Sequence, residues 1–420
     1  MNNPQSFSRR QFIGGTLAAT GTGALLGALS IQAEDQAREV AKPNPNDLKR
    51  KIKLGVVGLG GRGHWLAGFF REHGGYVIHA VADYFPGVAD QQGAALGVAA
   101  SRRFSGLSGY QKVLESGVEA VVIIDVCCFY PEQARAAVNA GVHVYIAKPV
   151  AIDVPGVLSI GESGKLATQK KQVFFVDYQI PTDPINLEVA RRVWDGGLGR
   201  ICAINTYGSG NTKAIMADPP KGPKLESRLQ NLLWVNDLPL GGETIINFDI
   251  HAIDAALWLT KLRPISAFGY AETYRPKPQS DSHDLWFITY ECPNGVLWSH
   301  QSVSIPNLLP EGLTCQLSGV EEASAQITYF GKSFLLGGDQ HYGGGEVKNL
   351  YAAGAQRNVN TFYELITKSQ CANETVPRAV DGTLTAILGR EAATRRTKLT
   401  MDELIKENRK LELDTKDLKV

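Results

Sequence analysis

An apolar strand that runs straight into a glycine turn and out into a helix is the feature that most limits what this chain can be. Residues 53–63 read Lys-Leu-Gly-Val-Val-Gly-Leu-Gly-Gly-Arg-Gly. Gly58-Leu59-Gly60-Gly61-Arg62-Gly63 therefore fits G-x-G-x-x-G between an apolar run, Lys53–Gly58, and a helical pattern, Trp65–Glu72. That context, more than the string, carries the signal. The first glycine allows a tight turn, the second lets a ligand approach the backbone, and the third lets helix and strand pack closely. Free N–H groups at the helix start favour an anion such as a pyrophosphate. Asp83 closes the next apolar run, Tyr76–Asp83, 25 residues after Gly58. A carboxylate there binds the adenosine ribose hydroxyls. Its charge repels a 2′-phosphate, so the expected cofactor is NAD, with NADP less favoured.

Further strands are expected at Val118–Val126 and Val142–Ile146, with the helix Pro131–Ala140 between them and Gly141 stopping it. Strands that alternate with helices indicate a parallel sheet with crossover connections. Beyond about residue 170 the pattern changes. Strands are expected at Ile201–Tyr207, Ile265–Thr273, Leu285–Glu291 and Gly295–Val303, the last two joined at Pro293-Asn294-Gly295, a hairpin turn. Helices are expected at Ile185–Asp195, Asn247–Leu259, Ala352–Lys368 and Thr383–Thr397. The chain of 420 residues is long enough for two to three domains. The expected class is α/β, with an N-terminal Rossmann parallel sheet over 50–170. A C-terminal α+β domain with an open, largely antiparallel sheet follows over 171–400, then a tail over 401–420.

Residues 1–33 are read as a targeting segment and set aside from the fold. Arg9 and Arg10 precede an uncharged stretch, Phe12–Ala33, that ends in Leu-Ser-Ile-Gln-Ala. Five glycines dilute its apolar character, which suits a twin-arginine export signal better than a permanent span. The expected location is the periplasm, or another exported site, with no stable membrane span in the mature form. Residues 34–49, with Pro43 and Pro45, read as a linker. Charge is balanced at 43 basic and 42 acidic residues, so the chain lacks the electrostatic footprint of a nucleic-acid binder. Six widely spaced cysteines make no disulfide framework and no Cys-x-x-Cys, so buried free thiols are expected and no metal.

From Val121 onward the chain resembles a known family. A strand leads to Tyr130-Pro131-Glu132-Gln133-Ala134, then to Ala140-Gly141-Val142-His143-Val144 and Ala147-Lys148-Pro149. Gly241-Gly242, the stretch Asn247–Asp254 and Asn360-Thr361-Phe362 continue the pattern. Over about residues 50–400 this is similar to the Gfo/Idh/MocA oxidoreductases, which include glucose–fructose oxidoreductase and inositol dehydrogenase. The resemblance implies a Rossmann domain followed by a domain whose open sheet carries substrate and subunit contacts, hence a homo-oligomer. It assigns Lys148 and His251 to catalysis and Tyr130 to the nicotinamide side, where many members carry histidine. The family's Glu-Lys-Pro is here Ala147-Lys148-Pro149, and its aspartate four residues before the histidine is here Asn247. Asp177-Tyr178-Gln179 replaces a stretch that often contains arginine.

The residues support these roles by their own chemistry. Lys148 follows a strand, at the C-terminal sheet edge where such folds bind ligands, and an ammonium there can bond a substrate hydroxyl or the nicotinamide and stabilise an oxyanion. Read as one helix, Asn247, His251 and Asp254 share a face, while Asp249 points away. An imidazole can take a hydroxyl proton as hydride leaves the adjacent carbon, with Asn247 orienting and Asp254 supporting the ring from behind. Tyr178, Gln179 and Trp234 are candidate substrate contacts; Trp286 and Tyr274 could also stack on a sugar. Three functions fit: NAD-dependent oxidation of a carbohydrate or polyol hydroxyl, redox-neutral glycoside cleavage by oxidation, elimination and reduction, or sugar binding without catalysis. Outside the cytoplasm no free NAD pool resupplies a site, so tight retention is expected. Nanomolar affinity corresponds to about −12 kcal/mol. The Pro43–Lys49 arm or the second domain is the expected clamp.

Overall fold

The structure, a computed structural model, describes residues 43, 48–210, 224–230, 233–275, 279–305, 311–372 and 374–420. The export signal expected over 1–33 and most of the 34–49 linker lie outside the described residues. Six parallel strands form the first sheet: β1 (Ile52–Val57), β2 (Tyr76–Asp83), β3 (Arg103–Ser105), β4 (Ala120–Ile123), β5 (His143–Ala147) and β6 (Phe174–Asp177). Their order is 3-2-1-4-5-6, the Rossmann arrangement. That order reverses between β1 and β4, and the crevice at this point is where such sheets take ligands. The sheet thus runs past residue 170 to Asp177. The connecting helices are α1 (Gly61–His73), α2 (Pro86–Ala95), α3 (Gly109–Glu115), α4 (Tyr130–Asn139) and α5 (Val154–Gln169). Asp153 caps α5, its Oδ1 accepting the Gly156 N–H at 2.9 Å.

The second sheet has nine strands in the order 14-13-12-11-7-10-9-8-15. It contains β7 (Ile201–Ser209), β8 (Ser266–Glu272), β9 (Leu285–Glu291), β10 (Leu297–Val303), β11 (Gly312–Gly319), β12 (Ser324–Thr328), β13 (Gly331–Leu336), β14 (Tyr342–Val347) and β15 (Leu399–Thr400). Among the described residues of this sheet only β7 and β10 pair in parallel; every other neighbour is antiparallel. The β9–β10 hairpin turns where expected, with Asn294 and Gly295 at φ 62° and 74°. Helix α6 (Pro184–Trp194) packs on β12 to β14.

Two late helices return to the first sheet. Helix Leu350–Thr367 buries Ala355, Val359, Phe362 and Ile366 with Phe70, Tyr145 and Phe175. Helix Thr375–Arg395 begins eight residues before the expected Thr383 and packs on α5 and β8. The two sheets therefore share buried side chains. The six cysteines are unpaired: Cys127, Cys292 and Cys315 are buried, Cys128 and Cys371 half-buried, and Cys202 exposed, so burial holds for half of them. Among the described residues no helix is long and apolar enough to cross a membrane.

Candidate active site

The carboxyl ends of β1, β2, β4 and β5 open into one cavity of about 1540 Å³. Ligand pockets for drug-sized molecules hold roughly 300–1,000 Å³, so this one has room for a dinucleotide and a second small molecule. Four glycines of the turn line it: Gly58, Gly60, Gly61 and Gly63. Their surroundings divide by position. Gly58 sits at φ +82°, and a Cβ there would collide with the Ile124 carbonyl. A Cβ on Gly63 would collide with the Gly58 carbonyl, whereas Gly60 and Gly61 have nothing within 4 Å of a Cβ. The outer glycines are needed for packing and the middle pair leave a bare cradle. Helix α1 starts there with no side-chain cap, so its first N–H groups are left for an anion.

Asp83 fixes the cradle. Its Oδ2 accepts the Leu59 N–H at 2.8 Å and its Oδ1 the Phe85 N–H at 2.9 Å. Burial raises its pKa, and the two backbone donors oppose that shift. Lone pairs remain for ribose hydroxyls. Leu59 corrects the sequence expectation: its side chain lies in the core and its N–H is taken by Asp83, so it makes no part of the cavity wall. The residues present thus fit a dinucleotide: a cradle only a ligand would fill, a free helix start and a carboxylate beside it.

Arg62 behaves differently from the expectation of a simple cofactor contact. A cation in the first turn of a helix is unfavourable beside the positive end of the dipole. Its guanidinium instead reaches Asp177 at the end of β6, Nη2 to Oδ2 at 2.6 Å, over the rings of Trp65 and Tyr351. Asp177 is fully buried and also accepts Asn358 Nδ2 at 2.6 Å and Gln179 Nε2 at 3.0 Å. Gln179 and Arg62 both line the cavity.

Lys148 lies half-buried at the end of β5, its Nζ donating to the Asn247 carbonyl at 2.6 Å. Burial, then the Arg62 charge, push its pKa down to about 7. The orienting group that glutamate would supply at position 147 is here a backbone carbonyl. His251 lines the same cavity. Burial first, then Lys148 and Arg62, hold its pKa well below the usual imidazole value. Its ring meets Tyr329 and Tyr178 edge-on at 4.9 and 6.2 Å between centroids. At neutral pH it is an uncharged base.

The single helix face expected for Asn247, His251 and Asp254 does not form. The helix breaks: Thr244–Asn247 is one short turn and Ile250–Thr260 begins anew after Phe248 and Asp249. Asn247 stays on the cavity wall, but its amide N–H groups go to the Gly241 and Glu243 carbonyls. Asp254 does not support the imidazole. It is buried with Arg378, Oδ1 to Nε at 2.7 Å, and Arg378 also covers the Tyr178 ring. Tyr178 accordingly stands behind His251 and off the cavity wall. Asp249 points away as expected, against Gly208 and 3.4 Å from His300.

Tyr130 and Trp234 both line the cavity, while Trp286 is core and Tyr274 is exposed and off it. The sequence reading missed Asp125, Phe248, Tyr351 and Thr415. Asp125 follows β4 on the cavity wall, bonded to Gln133 at 2.8 Å, and burial raises its pKa to about 6. It stands just past a strand end much as Asp83 closes β2, a signal that could have found it.

No protein-family model matches the chain. In fold it is similar to aldose–aldose oxidoreductase from Caulobacter crescentus, crystallised with glycerol, at 17% identity and TM-score 0.66 over 84% of this chain and all (100%) of that one. Levoglucosan dehydrogenase in complex with NADH and levoglucosan gives 15% identity and TM-score 0.67 over 84% and 100%. Scyllo-inositol dehydrogenase from Lactobacillus casei, with bound NAD(H) and scyllo-inositol, gives 17% and 0.64 over 84% and 100%. At these identities what this chain shares with them is the fold: a Rossmann sheet carrying a second, mostly antiparallel sheet.

Proposed function

We propose that the chain is an NAD-dependent oxidoreductase of the Gfo/Idh/MocA type, acting on a carbohydrate or polyol hydroxyl. The observation that carries this is a lysine near pKa 7 and an uncharged histidine on the wall of the cavity that holds the glycine cradle. The fold neighbours bound to NADH with levoglucosan, or to NAD(H) with scyllo-inositol, support the reading. Gly60, Gly61 and Asp83 would hold NAD, which supplies a hydride acceptor when bound. His251 takes the hydroxyl proton. Lys148, in its ammonium form, donates to the same oxygen and stabilises the charge that develops there. Arg62 and Gln179, tied to Asp177, present a fixed polar wall for the remaining hydroxyls. A homo-oligomer belongs to the proposal: Tyr270 and Phe287 pair across β8 and β9, both about half exposed, on the outer sheet face beside Phe268.

The test is turnover of the purified protein on aldoses, polyols and glycosides, following nicotinamide absorbance and released sugar together. Net reduction of the nicotinamide is the expected result. Sugar release without net reduction would assign the redox-neutral reaction instead, and ligand binding without either would overturn the enzymatic reading. The pH profile has a definite sign. Lys148 loses its proton as pH rises through about 7, while His251 is already neutral. The rate is therefore expected to fall above about pH 7, and Lys148→Arg should remove that limb because guanidinium keeps its proton.

A further inference from the structure

The last residues of the chain read as a polar tail, yet they are built into the cavity. Leu411 donates its N–H to Asp153 at 2.9 Å. From there the backbone crosses to the loops at the ends of β2 and β3. The Leu107 N–H donates to the Lys419 carbonyl at 2.8 Å, and the Lys419 N–H to the Tyr84 hydroxyl at 3.2 Å. Gly106, at φ +85°, lies so close to Val420 that a Cβ would be 3.0 Å from its carbonyl. Tyr84 directly follows Asp83, the carboxylate at the proposed ribose site.

A separate apolar cluster fastens this crossing. Leu418 is buried with Val126, Leu225, Leu229 and Leu240, and Leu413 and Trp234 pack against them. The helix Leu225–Arg228 joins from the other side, with Glu226 Oε1 taking both Tyr84 Oη and Lys419 Nζ at 3.4 Å. Tyr84, Leu107, Leu229 and Thr415 all line the cavity. Tyr84, Leu107, Val126 and Phe129 come from the loops that follow the Rossmann strands, while Leu225, Leu229, Trp234, Leu240, Leu413 and Leu418 arrive from remote parts of the chain. Of the arm expected to act as clamp, the described Leu48 packs near Gly74, at the opposite end of β1 from Gly58, and residues 44–47 lie outside the described residues.

We propose that the C-terminal segment Leu413–Val420 is part of the dinucleotide site, roofing its adenosine end and slowing release of the nucleotide. This rests on the cofactor reading above. A bound dinucleotide would have to leave past Thr415 and the Leu418 cluster, so departure requires undocking the tail. Undocking exposes Leu418 and Leu413 and breaks the bonds to Leu107 and Tyr84, and it adds to the barrier for release without adding to the glycine cradle.

The experiment compares the full-length chain, a chain deleted for Leu413–Val420, and Leu418→Asp, which loosens the tail without shortening it. Each is loaded with NAD, and dissociation is followed by nucleotide fluorescence or by retention through dialysis, with circular dichroism as the folding check. Both changed chains are expected to keep the fold and to release NAD about tenfold faster or more, a difference of about 1.4 kcal/mol. Release at the full-length rate from a folded Leu418→Asp chain would overturn the roof alone. Absence of any NAD binding by the full-length chain would overturn the cofactor reading, and the roof with it.

Discussion

Replacing Lys148 or His251 by alanine is expected to lower turnover by about 10²- to 10⁴-fold each, the range for a positioned proton-transfer group. Each side chain lines the cavity, and neither bonds to the glycine turn or to Asp83. NAD binding should therefore survive both changes. The reason for a large effect is environmental. A lysine in water keeps its proton throughout the neutral range, but burial and Arg62 bring Lys148 to about 7. The same surroundings keep His251 uncharged, because a third cation beside Lys148 and Arg62 would be strongly disfavoured. The pair thus splits into a base and a charge stabiliser without any acid at position 147 or 247. Losses below about tenfold in both variants, measured as kcat/KM with folding confirmed, would show that other groups carry the proton.

The second large effect concerns stability. Asp177 has a fully buried side chain and Arg62 is only 24% exposed, so their ion pair is shielded from water. Replacing Arg62 by methionine leaves a carboxylate held by amides alone, a change expected to cost about 3–5 kcal/mol. The double variant Arg62→Met, Asp177→Asn removes both charges and keeps an acceptor for Asn358 and Gln179. It should recover a large part of that loss, and urea unfolding of the two single variants and the double variant measures the coupling. If Arg62→Met alone unfolds at the same denaturant concentration as the parent, the pair has no structural weight. The pair then serves the cavity only.

Local signals made the first sheet legible. Apolar runs bounded by glycine place β1, β2 and the turn between them, and Asp83 follows because it ends a run. The site was only partly legible, for a physical reason: its remaining geometry depends on contacts between distant residues. Arg62 meets Asp177 across 115 positions, and Asn358 meets it across 181. No spacing rule contains such a contact. Asn247–Leu259 reads as one helix because its apolar periodicity is continuous. The break at Phe248–Asp249 comes with the Asp249 carboxylate packed against Gly208 and His300, on β7 and β10. The strands β11 to β14 escaped notice because polar residues and glycines weaken their alternation, as in Tyr342–Val347 with three consecutive glycines. The tail escaped for the opposite reason: two leucines, Leu413 and Leu418, anchor a segment that is otherwise charged.

The central claim is that the glycine cradle and Asp83 form a site for NAD itself. It is tested most directly by denaturing the purified full-length protein, before any nucleotide is added, and identifying what is released by mass. The account predicts NAD or NADH, close to one per chain, with no 2′-phosphorylated form, since the Asp83 carboxylate would repel it. A protein that releases no dinucleotide and binds added NAD only at millimolar concentration would contradict it.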